Sequence, residues 1–360
     1  MQGTRVWSVS TANWTDKALI STTDCPWSRA PNGGASHTAN FNVNDEATKE
    51  HMKAGLLEPL DRVIVVEDGG VVTYAGIIWE DDYDKDAQTL QVTHDDFWSL
   101  ADLRLIAEDR TAAIRAWKKT YSGLSYDTIA KRIMQLATSG IGRTIPIRYE
   151  ADYTGGETRT YHGYNLDTAL DALTEIMDLD DGPDIDFRPE WAEDGSLRWT
   201  MRTGDLSPEG QTIEVNLAAP KTDLKEIKYK RSARTLATLQ VGIGEGSGVD
   251  MLVRTAGGSG AFALEVVDEF KNIKDNTQLQ KNTTSALAAR KLITQIDFSI
   301  RADSPRFGNM WDLKPGTLVR WYSQGDPQIP DGWHLSEVIK YSGNVNSDWI
   351  KLELQEKGGV

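Results

Sequence analysis

The sequence predicts a mainly β protein with an α+β insertion, and three observations carry that prediction. The last sixty residues read as a run of antiparallel strands. A hairpin built to a similar plan occupies residues 60–94. Between the two strand-rich regions the apolar spacing turns helical. The expected organisation is a barrel-like β unit over about 1–105, an α+β insertion over about 106–220, and a second barrel-like unit over about 221–360. The last of these carries a helix at about 277–295.

Each element has a local reason. Asp24-Cys25-Pro26-Trp27-Ser28-Arg29-Ala30-Pro31-Asn32-Gly33-Gly34 is rich in turn residues and reads as a long exposed loop. Arg62-Val63-Ile64-Val65-Val66-Glu67 and Val71-Val72-Thr73-Tyr74-Ala75-Gly76-Ile77-Ile78-Trp79 flank Asp68-Gly69-Gly70. Two β-branched runs joined by residues that accept positive φ make a hairpin. Gly76 inside the second run predicts a bulge or a barrel-corner bend. An acidic turn over 80–86 leads to a strand at 88–93.

In the middle, Ser125-Tyr126-Asp127 caps a helix to about Thr138 with Ile129, Ile133 and Leu136 on one face. Asn165 is the expected cap of a second, with Leu166, Leu170, Leu173 and Met177 at helical spacing. Ile145-Pro146-Ile147-Arg148-Tyr149 reads as an edge strand, because proline cannot donate to a ladder. Residues 185–189 and 197–202 form a hairpin through Asp194-Gly195. Further on, 235–243 is a strand, and the glycine-rich segment 242–260 joins strands or forms a mobile loop. Asn276 or Thr277 starts the long helix through Leu279, Leu287 and Ile293. Three strands close the chain, with turns at Pro315-Gly316, Asp331-Gly332 and Ser342-Gly343-Asn344. In the last, Ile350, Leu352 and Leu354 alternate with Lys351 and Glu353 as in a half-buried strand.

Composition narrows the function. With 360 residues, two or three domains are expected. The net charge of −15 repels nucleic acid and anionic membrane. Lys118-Lys119 and Lys228-Tyr229-Lys230-Arg231 are short basic clusters that read as solvated faces. Cys25 is the only cysteine, so neither an intrachain disulfide nor a cysteine-based zinc site forms, and a cytosolic folding compartment is expected. No signal peptide and no membrane anchor are expected.

Motifs that tempt a catalytic reading fail on their residues. Gly242-Ile243-Gly244-Glu245-Gly246-Ser247-Gly248 has Ser247 and Val249 where GxGxxG needs glycine, and no Lys-Ser/Thr pair follows. The stretch after it, Val249-Asp250-Met251-Leu252-Val253, reads as a strand. Asp178, Asp180, Asp181, Asp184 and Asp186 cluster, but an EF-hand built on Gly182 would need Met177, Leu179 and Arg188 as ligands. His37, His51, His94, His162 and His334 form no HxxxH or HxH pair, and His94 beside Asp95 and Asp96 reads as a strand-end turn. Ser259 misses the GxSxG elbow by one residue. The twelve tryptophans read as core or interface anchors rather than a sugar groove. No catalytic residue, cofactor or metal site is therefore expected, and the chain is not read as an enzyme.

Taken in order, the hairpin from Leu60-Asp61-Arg62 through Ala75-Gly76-Ile77-Ile78-Trp79 to Leu90-Gln91-Val92-Thr93, the segment Asp181-Gly182-Pro183-Asp184-Ile185-Asp186-Phe187-Arg188-Pro189, and the helix before Trp311-Asp312-Leu313-Lys314-Pro315-Gly316-Thr317-Leu318-Val319 resemble a known family. The chain resembles a siphophage minor tail protein of the tail-hub class, similar to the central baseplate hub proteins of phage tails. That resemblance implies two tube-type β-barrel domains per subunit and a homotrimeric, pseudo-sixfold ring at the distal tip of the virion tail. It implies as partners a distal tail ring protein, the tape measure protein and other tail-tip and receptor-binding proteins. An acidic lumen would let DNA slide rather than stick. Larger relatives continue into fibre, lysozyme or peptidase domains, so a chain that stops at Val360 is expected to lack a built-in hydrolase. The rival expectations are a tail-tip carbohydrate-binding module, marked by exposed coplanar tryptophans, and a glycan hydrolase, marked by a deep acidic cleft.

Overall fold

The computed structural model describes residues 3–356 apart from 109, 141, 180, 207–211, 220–222, 259–261, 271–272, 305–306 and 308–312. Asp180, Ser259, Trp311 and Asp312 lie outside the described residues. The chain is mainly β with a helix-containing insertion. Its first part comprises β1 (Arg5–Ser10), β2 (Lys17–Ile20), β3 (Pro26–Arg29), β4 (Ser36–Asn42), α1 (Glu46–Lys53), β5 (Arg62–Asp68), β6 (Val71–Asp84) and β7 (Thr89–Asp95). All but β3 among these strands form one antiparallel sheet in the order β2-β1-β5-β6-β7-β4.

The uninterrupted apolar run of β5 follows from burial on both faces. Ile64 and Val66 enter one hydrophobic cluster, and Val63 and Val65 enter another on the opposite side. Residues alternate across a strand, so a two-faced strand has no polar positions to spare. Gly76 is not itself at an irregularity. The register shifts fall at Val66/Glu67 and at Ile78/Glu80. A Cβ on Gly76 would lie 2.2 Å from the Tyr74 hydroxyl, so the glycine makes room for that buried ring.

The middle of the chain comprises α2 (Trp98–Asp102), β8 (Lys118–Leu124), α3 (Tyr126–Ala137), β9 (Ile147–Tyr149), β10 (Glu157–His162), α4 (Ala169–Met177), β11 (Asp184–Trp191) and β12 (Leu197–Gly204). Ser125 caps α3 by accepting from the Thr128 N–H, and Ile129, Ile133 and Leu136 are buried as the spacing requires. The second helix starts later than Asn165. Thr168 and Asp171 form a capping box there, and Asn165 lies in a short 3₁₀ turn. β9 pairs in parallel with β12 at the edge of a three-stranded sheet, and the Pro146 carbonyl accepts from the Trp199 N–H. α3, α4, β11 and β12 pack their apolar residues with Val63, Val65, Ala75 and Ile77 of the first sheet.

The last part comprises β13 (Thr212–Asn216), β14 (Leu224–Ser232), β15 (Leu239–Ile243), β16 (Val253–Gly257), β17 (Glu265–Glu269), α5 (Asn276–Ala289), β18 (Ile293–Arg301), β19 (Leu318–Ser323), β20 (Gly332–Asn344) and β21 (Trp349–Glu356). The order β13-β19-β20-β21-β18-β14 makes the second large sheet. Ile350, Leu352 and Leu354 of β21 are all fully buried. They join Phe41, Ile64 and Leu90 of the first sheet, and Phe298 and Trp321, in one continuous core.

Between β14 and β18 a small sheet, β16-β15-β17, carries α5. Gly242 belongs to β15 because α5 presses on it, and a Cβ there would lie 2.1 Å from Thr283 Oγ1. The expected strand at 249–253 begins only at Val253, after a 3₁₀ turn over Gly248–Asp250. Asp275 caps α5, which ends at Ala289. Ile293 is therefore not helical. It opens β18, where Ile296, Phe298 and Ile300 alternate inward at period two.

The largest departure from expectation is β3. The loop expected to be exposed contains a strand that crosses to the second sheet and pairs with β20, Trp27 opposite Gly343 and Arg29 opposite Tyr341. Cys25, Trp27 and Ser28 are buried to within 1% exposure. Ser342, Gly343 and Asn344 are accordingly strand residues rather than a turn. A Cβ on Gly343 would lie 2.5 Å from the Trp27 ring, so only glycine admits the indole. Gly343→Val is expected to lower stability by about 1–3 kcal/mol in urea unfolding followed by far-UV circular dichroism. An unchanged midpoint would show that β3 does not depend on this fit.

Candidate functional site: the buried junction of the sheets

Polar chemistry inside this molecule concentrates where β3 meets its neighbours. The Arg29 side chain donates from one terminal nitrogen to both Asp186 carboxylate oxygens, each at 2.7 Å, and from the other to the Tyr341 hydroxyl at 3.0 Å. The Arg29 and Asp186 side chains are 7% and 4% exposed, so the pair is shielded from solvent. Burial works against the guanidinium charge, and Asp186 with Tyr341 outweighs it, raising the pKa further above its ordinary value. Three parts of the chain meet at this one side chain, because Asp186 belongs to β11 and Tyr341 to β20. Asp96 lies nearby and accepts from the backbone N–H groups of Ala35 and Trp98. Burial pushes its carboxyl up to about 7.

Beside this pair lies a second cluster. His37 and His94 are register partners on β4 and β7, with ring centroids 6.1 Å apart. His94 Nδ1 lies 3.0 Å from the Tyr74 hydroxyl, and its Nε2 lies 3.9 Å from Cys25 Sγ. His37 Nε2 lies 3.0 Å from Ser28 Oγ. Burial lowers His94 to about 3, with His37 adding to the effect, and lowers His37 to about 4. Burial, with Asp24, pushes the Cys25 thiol up to about 12.

A nucleophilic cysteine needs a lowered pKa and access, and a general base needs a pKa near the working pH. Cys25 has neither, and His37 and His94 are held well below neutrality, while Asp96, at about 7, faces only the small cavity it lines. The cavity between Arg29, Tyr74, Asp96 and Asp186 measures about 10 Å³, room for about one water and not for a substrate. His94 is thus a core residue inside β7, and not part of a strand-end turn.

Among the described residues, the remaining sequence candidates stay apart except for Asp181 and Asp184, which line one open hollow. Asp186 is bound to Arg29, Asp184 accepts from Asn32 Nδ2 at 2.6 Å, Asp181 pairs with Lys281 at 2.8 Å, and Asp178 ends α4. An open hollow of about 400 Å³ touches Asp127, Asp181, Asp184, Asp205 and Glu337. Among the described residues no three His, Cys, Asp or Glu side chains are set to hold a metal ion. His51 accepts from the Ser21 N–H, His162 stacks on Tyr164, and His334 stacks on Trp321. Trp27, Trp199 and Trp321 are core anchors. The exposed Trp333 is tilted 54° from Tyr322, so these two rings do not make a flat platform. No helix among the described residues is long and apolar enough to cross a membrane.

No family model and no curated protein matches the chain. The fold is nevertheless shared with solved tail proteins. A tail protein from Neisseria meningitidis MC58 aligns with a TM-score of 0.60 at 13% identity, over 99% of this chain and 97% of that one. The 43 kDa tail protein of prophage MuSo2 from Shewanella oneidensis gives 0.58 at 10% identity, over 98% of both chains. Prophage tail protein gp18 from Listeria monocytogenes EGD-e gives 0.53 at 9% identity, over 99% and 95%. The chain has the fold of phage tail proteins, from end to end.

Sequence reasoning missed Arg29, the residue on which the junction turns. The one local signal was Trp27, a large apolar side chain inside an otherwise polar stretch. Arg29→Met is expected to cost about 3–5 kcal/mol, because it strands a buried carboxylate. Arg29→Met/Asp186→Asn should recover part of that loss in the same urea assay, and simple additivity would refute the coupling. The neutral His94 adds a pH dependence. Its folded pKa lies below the ordinary value near 6.5, so its stabilising share is complete above 6.5 and drains as pH falls toward about 3. Asp96 acts oppositely, losing its share as pH rises from the ordinary carboxylate range through about 7. The stability gap between wild type and His94→Gln should therefore narrow on acidification below 6.5. A constant gap would exclude a neutral buried His94.

Proposed function

We propose that this chain is a structural tail-hub protein at the distal end of a long-tailed phage. It forms a trimeric ring that joins a sixfold tail tube to a threefold tip and surrounds the channel for DNA and tape measure protein. Likeness to tail proteins over nearly the whole of both chains is the observation that carries this reading. In it, residues of about 1–105 and 221–360 supply the two barrels of each subunit, and about 106–220 form the insertion. The subunit works by surface and symmetry, without catalysis. Its neighbours are a distal tail ring protein, the tape measure protein and receptor-binding tip proteins. The net charge of −15 supports a channel that repels the phosphate backbone.

Cryo-electron microscopy of the native particle tests this by counting copies around the tail axis. The expected result is three copies, each giving two barrels to a closed ring. A peripheral position, or no ring, would overturn the proposal.

A further inference from the structure

Two exposed strand edges of opposite charge stand unexplained by the fold. β14 is the last strand of the second sheet and pairs only with β18. Residues 225–231 place four cations, Lys225, Lys228, Lys230 and Arg231, against one carboxylate in a chain that is otherwise strongly acidic. All four cations are exposed. Among the described residues Lys228, Lys230 and Arg231 have no ion-pair partner, and Asp297, opposite Lys228 in register, is taken by Lys351 at 3.6 Å.

The second edge belongs to β6, which overruns its neighbour. β5 pairs with β6 only as far as Ile77. Residues 80–84 pair with β7 on one side, and no described strand pairs with them on the other. Residues 80–86 hold five carboxylates against one lysine, and all are exposed. Glu80, Asp81 and Asp82 also lack cationic partners among the described residues.

Charge on an edge strand ordinarily blocks pairing with another edge. Here the block is selective. Like charges oppose β14 against β14 and β6 against β6, whereas β6 against β14 is attractive, pair by cross-strand pair. Such a contact is head-to-tail, which builds rings when the rotation closes and filaments when it does not. We infer that a second copy of this chain docks its acidic β6 edge, residues 80–84, along the basic β14 edge, residues 225–231. This gives a surface to the self-association in the proposed ring and rests on that reading for it.

Sedimentation of the full chain over a concentration series tests the contact. Wild type is expected to self-associate, and more weakly in about 0.5 M salt. Lys228→Glu/Lys230→Glu/Arg231→Glu should weaken association at least about tenfold, as should Glu80→Lys/Asp81→Lys/Asp82→Lys. The chain carrying both sets should associate again, because the complementarity is reversed and kept. That rescue separates a lost contact from a lost fold. Reversals that leave the oligomer intact would overturn this surface while the ring reading stands. A wild-type chain that stays monomeric throughout would overturn the inference, and the copy count in the particle would then judge the ring independently.

Discussion

Arg29 binds the molecule together where three stretches of chain, far apart in sequence, come into contact. Its guanidinium sits on β3, its carboxylate partner on β11 and its phenol partner on β20. Taking both charges out of water costs several kcal/mol per ion, and only close contact with further hydrogen bonding offsets that. The pair therefore selects an arrangement more than it stabilises one. Any packing that moved the insertion away from β3, or β3 away from β20, would leave a charge buried without a partner. Trp27 opposite Gly343 reinforces the same choice sterically.

The first sheet can serve two cores because its central strand is apolar on both faces. One face shares a hydrophobic cluster with the second sheet, and the other carries the helices and hairpin of the insertion. A two-faced sheet of this kind ties the two cores to one another. Interiors packed at close to crystal density pass displacement on rather than absorbing it.

The junction also contains cysteine, histidine, tyrosine and aspartate at hydrogen-bonding distances, the residue types from which active sites are made. Their environment sets them to other ends. Burial moves the Cys25 thiol, His94 and His37 away from neutrality in the directions that keep each uncharged. The same groups in a solvated cleft would titrate near physiological pH, so residue type without burial is a poor guide to role.

Local patterns in the sequence determined much of this protein. Period-two alternation defined β21, the Asp68-Gly69-Gly70 turn defined the β5–β6 hairpin, and Ser125 with Ile129, Ile133 and Leu136 defined α3 and its buried face. Each signal lies within a few residues of the element it specifies. The start of α4 was misplaced because Asn165 and Thr168 are both capping residues, and only the reciprocal bond with Asp171 distinguishes them. The end of α5 was misplaced because Leu279 and Ile293, fourteen residues apart, fit helical spacing, whereas burial of Ile296, Phe298 and Ile300 follows the strand period. β3 and Arg29 were beyond reach for a different reason. A four-residue strand among prolines and glycines has no period to read, and its partner Tyr341 lies 312 residues further on. What β3 becomes depends on a glycine, a phenol and a carboxylate supplied by distant elements, and only the tertiary structure brings those three to one place.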